Sequence, residues 1–320
     1  MYKKGALNLL QRKTEKKQIF KKSSVKDNIE FFIMALPAII LLIVFCYMPL
    51  YGLVIGFKKF NPNLGIMGSP WVGLENFKFF FTSSDAIRVT RNTLLYNGGF
   101  IILDMIAAVV LALLFFNLSS RKALKVYNTI VILPKFLSMV LIAFIVYAIL
   151  NPVSGVLNQF MVLFGAEAVD WYSEVNAWPF ILNIVHMWAT IGMNSILYYA
   201  ALMSIDEALF EAATLDGASK FQMILHICIP HLTSIMCITS ILAVGGIFGG
   251  DFGLFYQVPR NVGGLYETTD IIPTYVFRGL KEGNMSISAA IGFFQSLVGM
   301  ILVIVTNAIV NKIAPENSLF

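Results

Sequence analysis

Six stretches of this chain are predominantly apolar over a length that reaches across a lipid bilayer: about 31–56, 93–118, 126–151, 178–203, 231–251 and 287–311. A spanning helix needs ~20 such residues at roughly 1.5 Å of rise each. Inside hydrocarbon only helices and closed barrels pair every backbone N–H and C=O, and the ~10-residue alternating segments of a barrel do not occur. The pattern therefore predicts an all-α, polytopic transmembrane helical bundle of six spans. Composition agrees. With 58% hydrophobic and 13% charged residues and a mean hydropathy of +0.77, the chain has too little polar surface to cover a water-soluble globule of 35.6 kDa.

The polar connections orient the bundle, because Lys and Arg in short loops favour the cytoplasm while acids count for little. Residues 1–28 hold nine of them, from Lys3 to Lys26, the turn after the second span adds Arg121 and Lys122, and the loop 152–177 has none. The N-terminus is therefore expected in the cytoplasm, and an even number of spans returns the C-terminus, with Lys312, to the same side. Against this order stand Lys58, Lys59, Lys78, Arg88 and Arg91 in the first outer loop; the N-terminal excess decides. The net charge of +5 comes mostly from that tail, which reads as a juxtamembrane segment beside anionic lipid and not as a nucleic-acid signal. The tail also lacks the apolar run and small-residue site of a cleaved signal. The expected organisation is a basic cytoplasmic tail at 1–28, a first span with its outer loop at 29–92, a five-span core at 93–312 containing a cytoplasmic loop at 204–230, and a cytoplasmic C-terminus at 313–320.

That cytoplasmic loop carries Glu211-Ala212-Ala213, then Gly217 after three residues, then Ile227-Cys228-Ile229-Pro230 after nine more. Ser204 is expected to cap a short helix at Glu207, with acids complementing the positive helix end. Ala212 and Ala213 allow another surface to approach, Gly217 permits a turn, Ala218–Phe221 starts a second short helix, and Pro230 restarts the chain at the next span. An ordinary helical hairpin would use the same residues. The fixed offsets, however, resemble the EAA loop of bacterial ABC importer permeases, E-A-A, x3, G, x9, I-x-L-P, with Ile229 in place of the Leu. The runs Met48–Phe60 and Gly68–Phe77, and the stretch Tyr266–Val276, look like outer loops of the permease branch that imports larger oligosaccharides.

The resemblance implies the MetI-like fold of type I importers, with the chain as one half of a permease pair in a bacterial cell membrane. It implies a second permease subunit, two ATPase subunits that bind the ATP and Mg, an extracytoplasmic solute-binding protein and a carbohydrate substrate, with no cofactor on this chain. The ATPase-coupling surface would comprise Glu211, Ala212, Ala213, Asp216, Gly217, Ile227 and Pro230, with Glu211 making a polar contact in the ATPase cleft. Alternatives are a permease for peptides or other polar solutes, a membrane anchor, or an ion-coupled secondary transporter; the last would show inverted repeats, which the sequence lacks.

Candidate chemistry adds little that is catalytic. There is no G-x-x-x-x-G-K-[ST] loop and no G-x-S-x-G elbow, so hydrolysis of ATP falls to a separate subunit. His186, His226 and His231 lack metal-ligand spacing, and Cys46, Cys228 and Cys237 sit in or beside apolar spans as small hydrophobes, so neither metal nor disulfide is expected. Polar groups at membrane depth are costly and so informative. Asp104 in the second span and Lys135, directly after Pro134 in the third, are within reach of an ion pair; solute contact or snorkelling of Lys135 are the other readings. In the fourth span Asn183, His186, Thr190 and Asn194 follow i, i+3, i+7, i+11 spacing, with Trp188, Tyr198 and Tyr199 nearby. Such a stripe either lines a cavity wet enough for a sugar, with a ring to stack on it, or hydrogen-bonds to neighbouring helices. Gln295 and Asn307 in the sixth span are further candidates.

Overall fold

A computed structural model describes residues 25–313. Most of the basic tail 1–28 and nearly all of the C-terminal segment 313–320 therefore lie outside the described residues. The chain divides into two compact units, residues 1–54 and 55–320. The first unit is the helix α1 (Val25–Leu42), which contains Pro37 and passes through a π turn at Ile43–Tyr47 into a 3-10 segment beginning at Met48.

The second unit is a helical bundle whose sole extended pairing among the described residues is the bridge between Lys58 and Trp71. Its main helices are α2 (Ser84–Phe116), α3 (Arg121–Ile132), α4 (Met139–Leu150), α5 (Trp178–Leu202), α6 (Glu207–Leu215), α7 (Ile229–Gly245), α8 (Phe252–Gln257), α9 (Ile272–Lys281) and α10 (Met285–Ile313). Among the described residues of the two units, five helical stretches are long and apolar enough to cross a membrane: Phe31–Phe57, Ser84–Phe116, Val175–Leu202, Lys220–Gly245 and Met285–Lys312.

The window 126–151 is not a straight span. Arg121–Phe136 and Met139–Leu150 meet at 101°, and the sequence explains the break. Pro134 lies in a 3-10 turn over Leu133–Phe136, Leu137 is extended, and Ser138 caps α4 by accepting from the N–H of Leu141 at 3.3 Å. The fifth window is shifted as well. Helix begins at Lys220 and ends at Gly245, because Pro230 does not restart the chain; a π turn at Ile224–Cys228 carries the helix past it into α7. The second span starts earlier than 93, so Arg88 and Arg91 belong to α2 and not to a loop.

Helices α2 and α5 run side by side in the same direction and form the spine of the unit. On α2 the buried residues include Val89, Thr93, Tyr96, Phe100, Ala108 and Ala112, while Leu95, Ile102, Ile106, Val110 and Leu114 are exposed. An exposed face that is apolar throughout suits lipid and not water. On its other side α5 meets α3 so closely that a Cβ at Gly192 would collide with the carbonyl oxygen of Val131. One apolar cluster joins Tyr96 and Phe100 to Trp178, Leu182, Ile142 and Phe255; a second joins Ala108 and Ala112 to Leu202, Cys228 and Leu232 at the opposite end.

Candidate functional site

Between the two clusters the spine opens into a cavity of about 750 Å³. Asn97, Phe100, Ile101 and Asp104 face it from α2, which i, i+3, i+4, i+7 spacing places on one helical face. His186, Asn194 and Tyr198 face it from α5, Thr239 and Ser240 from α7, and Asp251 from the turn that follows α7. The volume lies within the range of small-molecule sites.

Asp104 is the centre of this polar wall. His186 Nε2 donates to its Oδ2 at 3.0 Å and Asn194 Nδ2 to Oδ2 at 3.4 Å, while Thr190 Oγ1 shares its one hydrogen between Oδ1 at 3.2 Å and the His186 carbonyl at 2.8 Å. A carboxylate only accepts, so Nε2 carries the imidazole hydrogen. The ring of His186 stacks on Phe100 at 3.7 Å and 7°, and its Nδ1 is buried without a partner. On the α6 side of this group the Tyr198 hydroxyl and Thr239 Oγ1 bond at 3.0 Å, tying α5 to α7; on the opposite side Asn97 Nδ2 donates to the Ile247 carbonyl at 2.8 Å.

The ion pair that membrane depth allows between Asp104 and Lys135 is not formed. Asp104 is taken by three donors on α5, and the 3-10 turn at Pro134 leaves Lys135 on an exposed surface. Of the stripe on α5, His186, Thr190 and Asn194 converge on one carboxylate, whereas Asn183 folds back onto the Pro179 carbonyl at 2.7 Å. Trp188 is 41% exposed and outside the cavity lining, and Tyr199 packs edge-on against Phe115. Gln295 is half-buried beside Gly249 but does not line the cavity, and Asn307 is buried. Asn97, Thr239, Ser240 and Asp251 were not singled out as cavity residues by the sequence; only the Asn97–Asp104 interval of seven offered a signal.

The loop after α5 forms the second site. Asp206, and not Ser204, caps α6, accepting from the Ala208 N–H at 3.0 Å; Ser204 is still turning out of α5, donating to the Ala201 carbonyl at 2.7 Å. At the far end Ala218 N–H donates to Ala213 and Gly217 N–H to Thr214, with Gly217 at φ +77°. This is a Schellman close, in which the left-handed residue is glycine for lack of a Cβ. Ser219 and Gln222 then form a reciprocal capping box for the helix that follows. Glu211, Ala212, Asp216, Gly217 and Pro230 are exposed, and Ala213 and Ile227 half-buried. Leu215, 89% exposed, and Phe221 add an apolar component to the acidic surface. Phe210 turns inward and meets Phe116, at the end of α2, at 5.6 Å.

Residues 104–316 match the family of binding-protein-dependent transport system inner membrane components. The chain belongs to this family. As a permease component it is a membrane transport subunit and not an enzyme. It is 32% identical over 292 residues to the polygalacturonan/rhamnogalacturonan transport system permease protein YteP of Bacillus subtilis, covering 89% of this chain and 88% of that one. The arabinooligosaccharides transport system permease protein AraP of Halalkalibacterium halodurans is 28% identical, with 83% of each chain covered. Among solved structures, a chain of a bacterial ABC transporter involved in the import of the acidic polysaccharide alginate matches with a TM-score of 0.83 and 31% identity, over 91% of this chain and 98% of that one. The same kind of transporter in complex with an alginate pentasaccharide-bound periplasmic protein matches with a TM-score of 0.82 and 31% identity, over 90% and 96%.

Proposed function

We propose that this permease is one transmembrane subunit of a type I ABC importer that moves an oligosaccharide across a bacterial cell membrane, with six passes and both termini in the cytoplasm. A second permease completes the translocation path, two ATPase subunits bind ATP and Mg, and an extracytoplasmic protein delivers the sugar. The carbohydrate assignment draws on relatives that act on polygalacturonan/rhamnogalacturonan, arabinooligosaccharides and alginate. It suits a cavity walled by amide, hydroxyl, imidazole and carboxylate groups, which can exchange hydrogen bonds with sugar hydroxyls.

The observation that carries the mechanism is the seating of α6 at the ends of the two helices that hold Asp104. Phe210 packs on Phe116 of α2, and α5 runs directly from Tyr198 through Leu202 into the α6 turn. A displacement of α6 by closing ATPases would therefore act on both walls of the cavity. Coupling requires that the ATPase contacts differ between inward-facing and outward-facing states, and the exposed Glu211, Ala212 and Leu215 offer the surface for that difference.

The test is Glu211→Lys, which reverses the charge offered to the ATPase, with Gly217→Val, which puts a β-branched residue at a left-handed φ. Both variants are expected at parental membrane abundance, with ATPase co-purification weakened or stimulation by loaded binding protein lost, and with little uptake. Normal transport by both variants would remove the coupling assignment.

A further inference from the structure

At the end of the bundle away from α6, the loop after α8 holds the two non-glycine residues with positive φ among the described residues, Arg260 at 57° and Asn261 at 51°. Left-handed backbone at a residue with a side chain costs free energy and persists where the surroundings enforce it. Here the enforcement is visible: the Tyr266 hydroxyl donates to Asn261 Oδ1 at 2.9 Å, and the Arg260 N–H donates to Gln257. The turn lays the Arg260 guanidinium over the Tyr147 ring, 4.1 Å from its centroid, beside a recess of about 350 Å³. Tyr147, Tyr256, Gln257 and Asn261 line the recess, and no carboxylate does. Behind it Tyr172 packs edge-on to Tyr147, its phenol pushed up to about 12 by burial while the charge of Arg260 acts in the opposite direction.

The other arginines at this end have polar partners. Arg88 and Arg278 pair with Asp270, and Arg91 bonds Asn92 and the Glu267 carbonyl. Arg260 and Lys281 have no carboxylate within 4.0 Å among the described residues; Lys281 donates to the Tyr256 hydroxyl at 3.1 Å and lies 4.7 Å from the centre of Phe277. Two uncompensated cations, each laid on an aromatic ring, thus flank one recess. A guanidinium fixed in this way loses little freedom when it takes a carboxylate through two parallel N–H bonds.

We propose that this recess receives an aspartate or glutamate side chain of the solute-binding protein when it docks, with Arg260 as the central contact and Lys281 as a rim charge. The proposal rests on the importer reading, in which this end faces outward. A sugar carboxylate is the lesser fit, because the recess shares no lining residue with the 750 Å³ cavity and so is not part of its wall.

The experiment uses the assembled transporter in lipid nanodiscs, with loaded cognate binding protein titrated to stimulate ATP hydrolysis at low and high ionic strength. Arg260→Gln should raise the half-saturating concentration about tenfold, and Lys281→Gln roughly threefold, the rim charge being the more screened. The change should fall on the half-saturating concentration and not on the maximal rate, and Arg260→Gln should flatten its salt dependence. Arg260→Lys should recover part of the loss together with the salt dependence, because it returns the charge, whereas a role confined to packing on Tyr147 would leave the salt dependence unmoved in every variant. Parental half-saturation and salt dependence in Arg260→Gln would overturn the proposal. So would unchanged half-saturation with loss of uptake confined to uronate oligosaccharides, which would give the recess to the sugar. Failure of loaded binding protein to stimulate even the parental complex would instead bring down the importer reading, and this proposal with it.

Discussion

Asp104 and Asp270 are both carboxylates enclosed by helices, yet they meet different company. Asp270 has no side-chain exposure and takes Arg88 at 3.1 Å, Arg278 at 2.5 Å and the Thr274 hydroxyl at 2.7 Å. Asp104 keeps 20% of its side chain exposed beside a cavity, and its partners are an imidazole, a hydroxyl and an amide. Two guanidinium groups saturate the first carboxylate and pin α2, α9 and the preceding loop to one another. Weaker donors, all from α5, orient the second while leaving it a face toward the cavity. The difference separates a carboxylate that closes the structure from one available to something passing through.

Removing each carboxylate should break the comparison in different ways. Asp270→Ala strands Arg278 and leaves Arg88 with Asp85 alone, at 2.8 Å, and losing one member of a buried charge group costs about 3 kcal/mol; the expected result is sharply reduced membrane abundance and a lowered melting temperature of the purified complex. Parental melting behaviour would mean that Arg88 and Arg278 find other partners and that Asp270 is no anchor. Asp104→Asn keeps the shape and loses the charge, so it should cost roughly 1–2 kcal/mol and leave abundance near parental, while uptake falls steeply. Should uptake persist, Asp104 would be as structural as Asp270.

A smaller effect is expected where the cavity wall is tied rather than charged. Tyr198→Phe deletes the hydroxyl bond to Thr239, the direct polar link between α5 and α7 at this level, and a neutral hydrogen bond is worth about 1 kcal/mol. The melting temperature of the complex should fall slightly, and uptake should change less than in Asp104→Asn. A loss as large as that of Asp104→Asn would make the α5–α7 tie, and not the carboxylate, the sensitive feature of the wall.

These positions also mark how far the sequence could be read. Spans are legible because lipid demands an apolar length, and five of the six windows correspond to single helical stretches that meet that demand. The loop 204–230 is legible because its determinants are local: Gly217 closes the Schellman turn through residues within five positions of itself. The stripe on α5 reveals a polar face but not its partner, since spacing along one helix carries no information about which neighbour it meets. For that reason depth alone allows Asp104 a pair with Lys135 without deciding it. Asn97, Thr239 and Asp251 reach the cavity from three separate segments, and Arg260 with Asn261 adopts a left-handed turn that no glycine announces.

The least effect is expected at Lys135, and it is the control for the whole comparison. An exposed cation on the Pro134 turn has no carboxylate to satisfy, so Lys135→Met should alter stability by no more than about 0.5 kcal/mol. Combined with Asp104→Asn, the two changes should add within roughly 0.5 kcal/mol, as substitutions without a shared partner do. The measurement is a double-mutant cycle on the melting of the purified complex, run beside Asp270→Ala and Arg278→Met. The Asp270 cycle should show strong coupling, because removing the arginine lowers the cost of losing its carboxylate. The Asp104 cycle should show none. Coupling of more than about 1 kcal/mol between Asp104 and Lys135 would mean that the carboxylate reaches across to the third span in another state of the permease, and that α5 holds it only in this one.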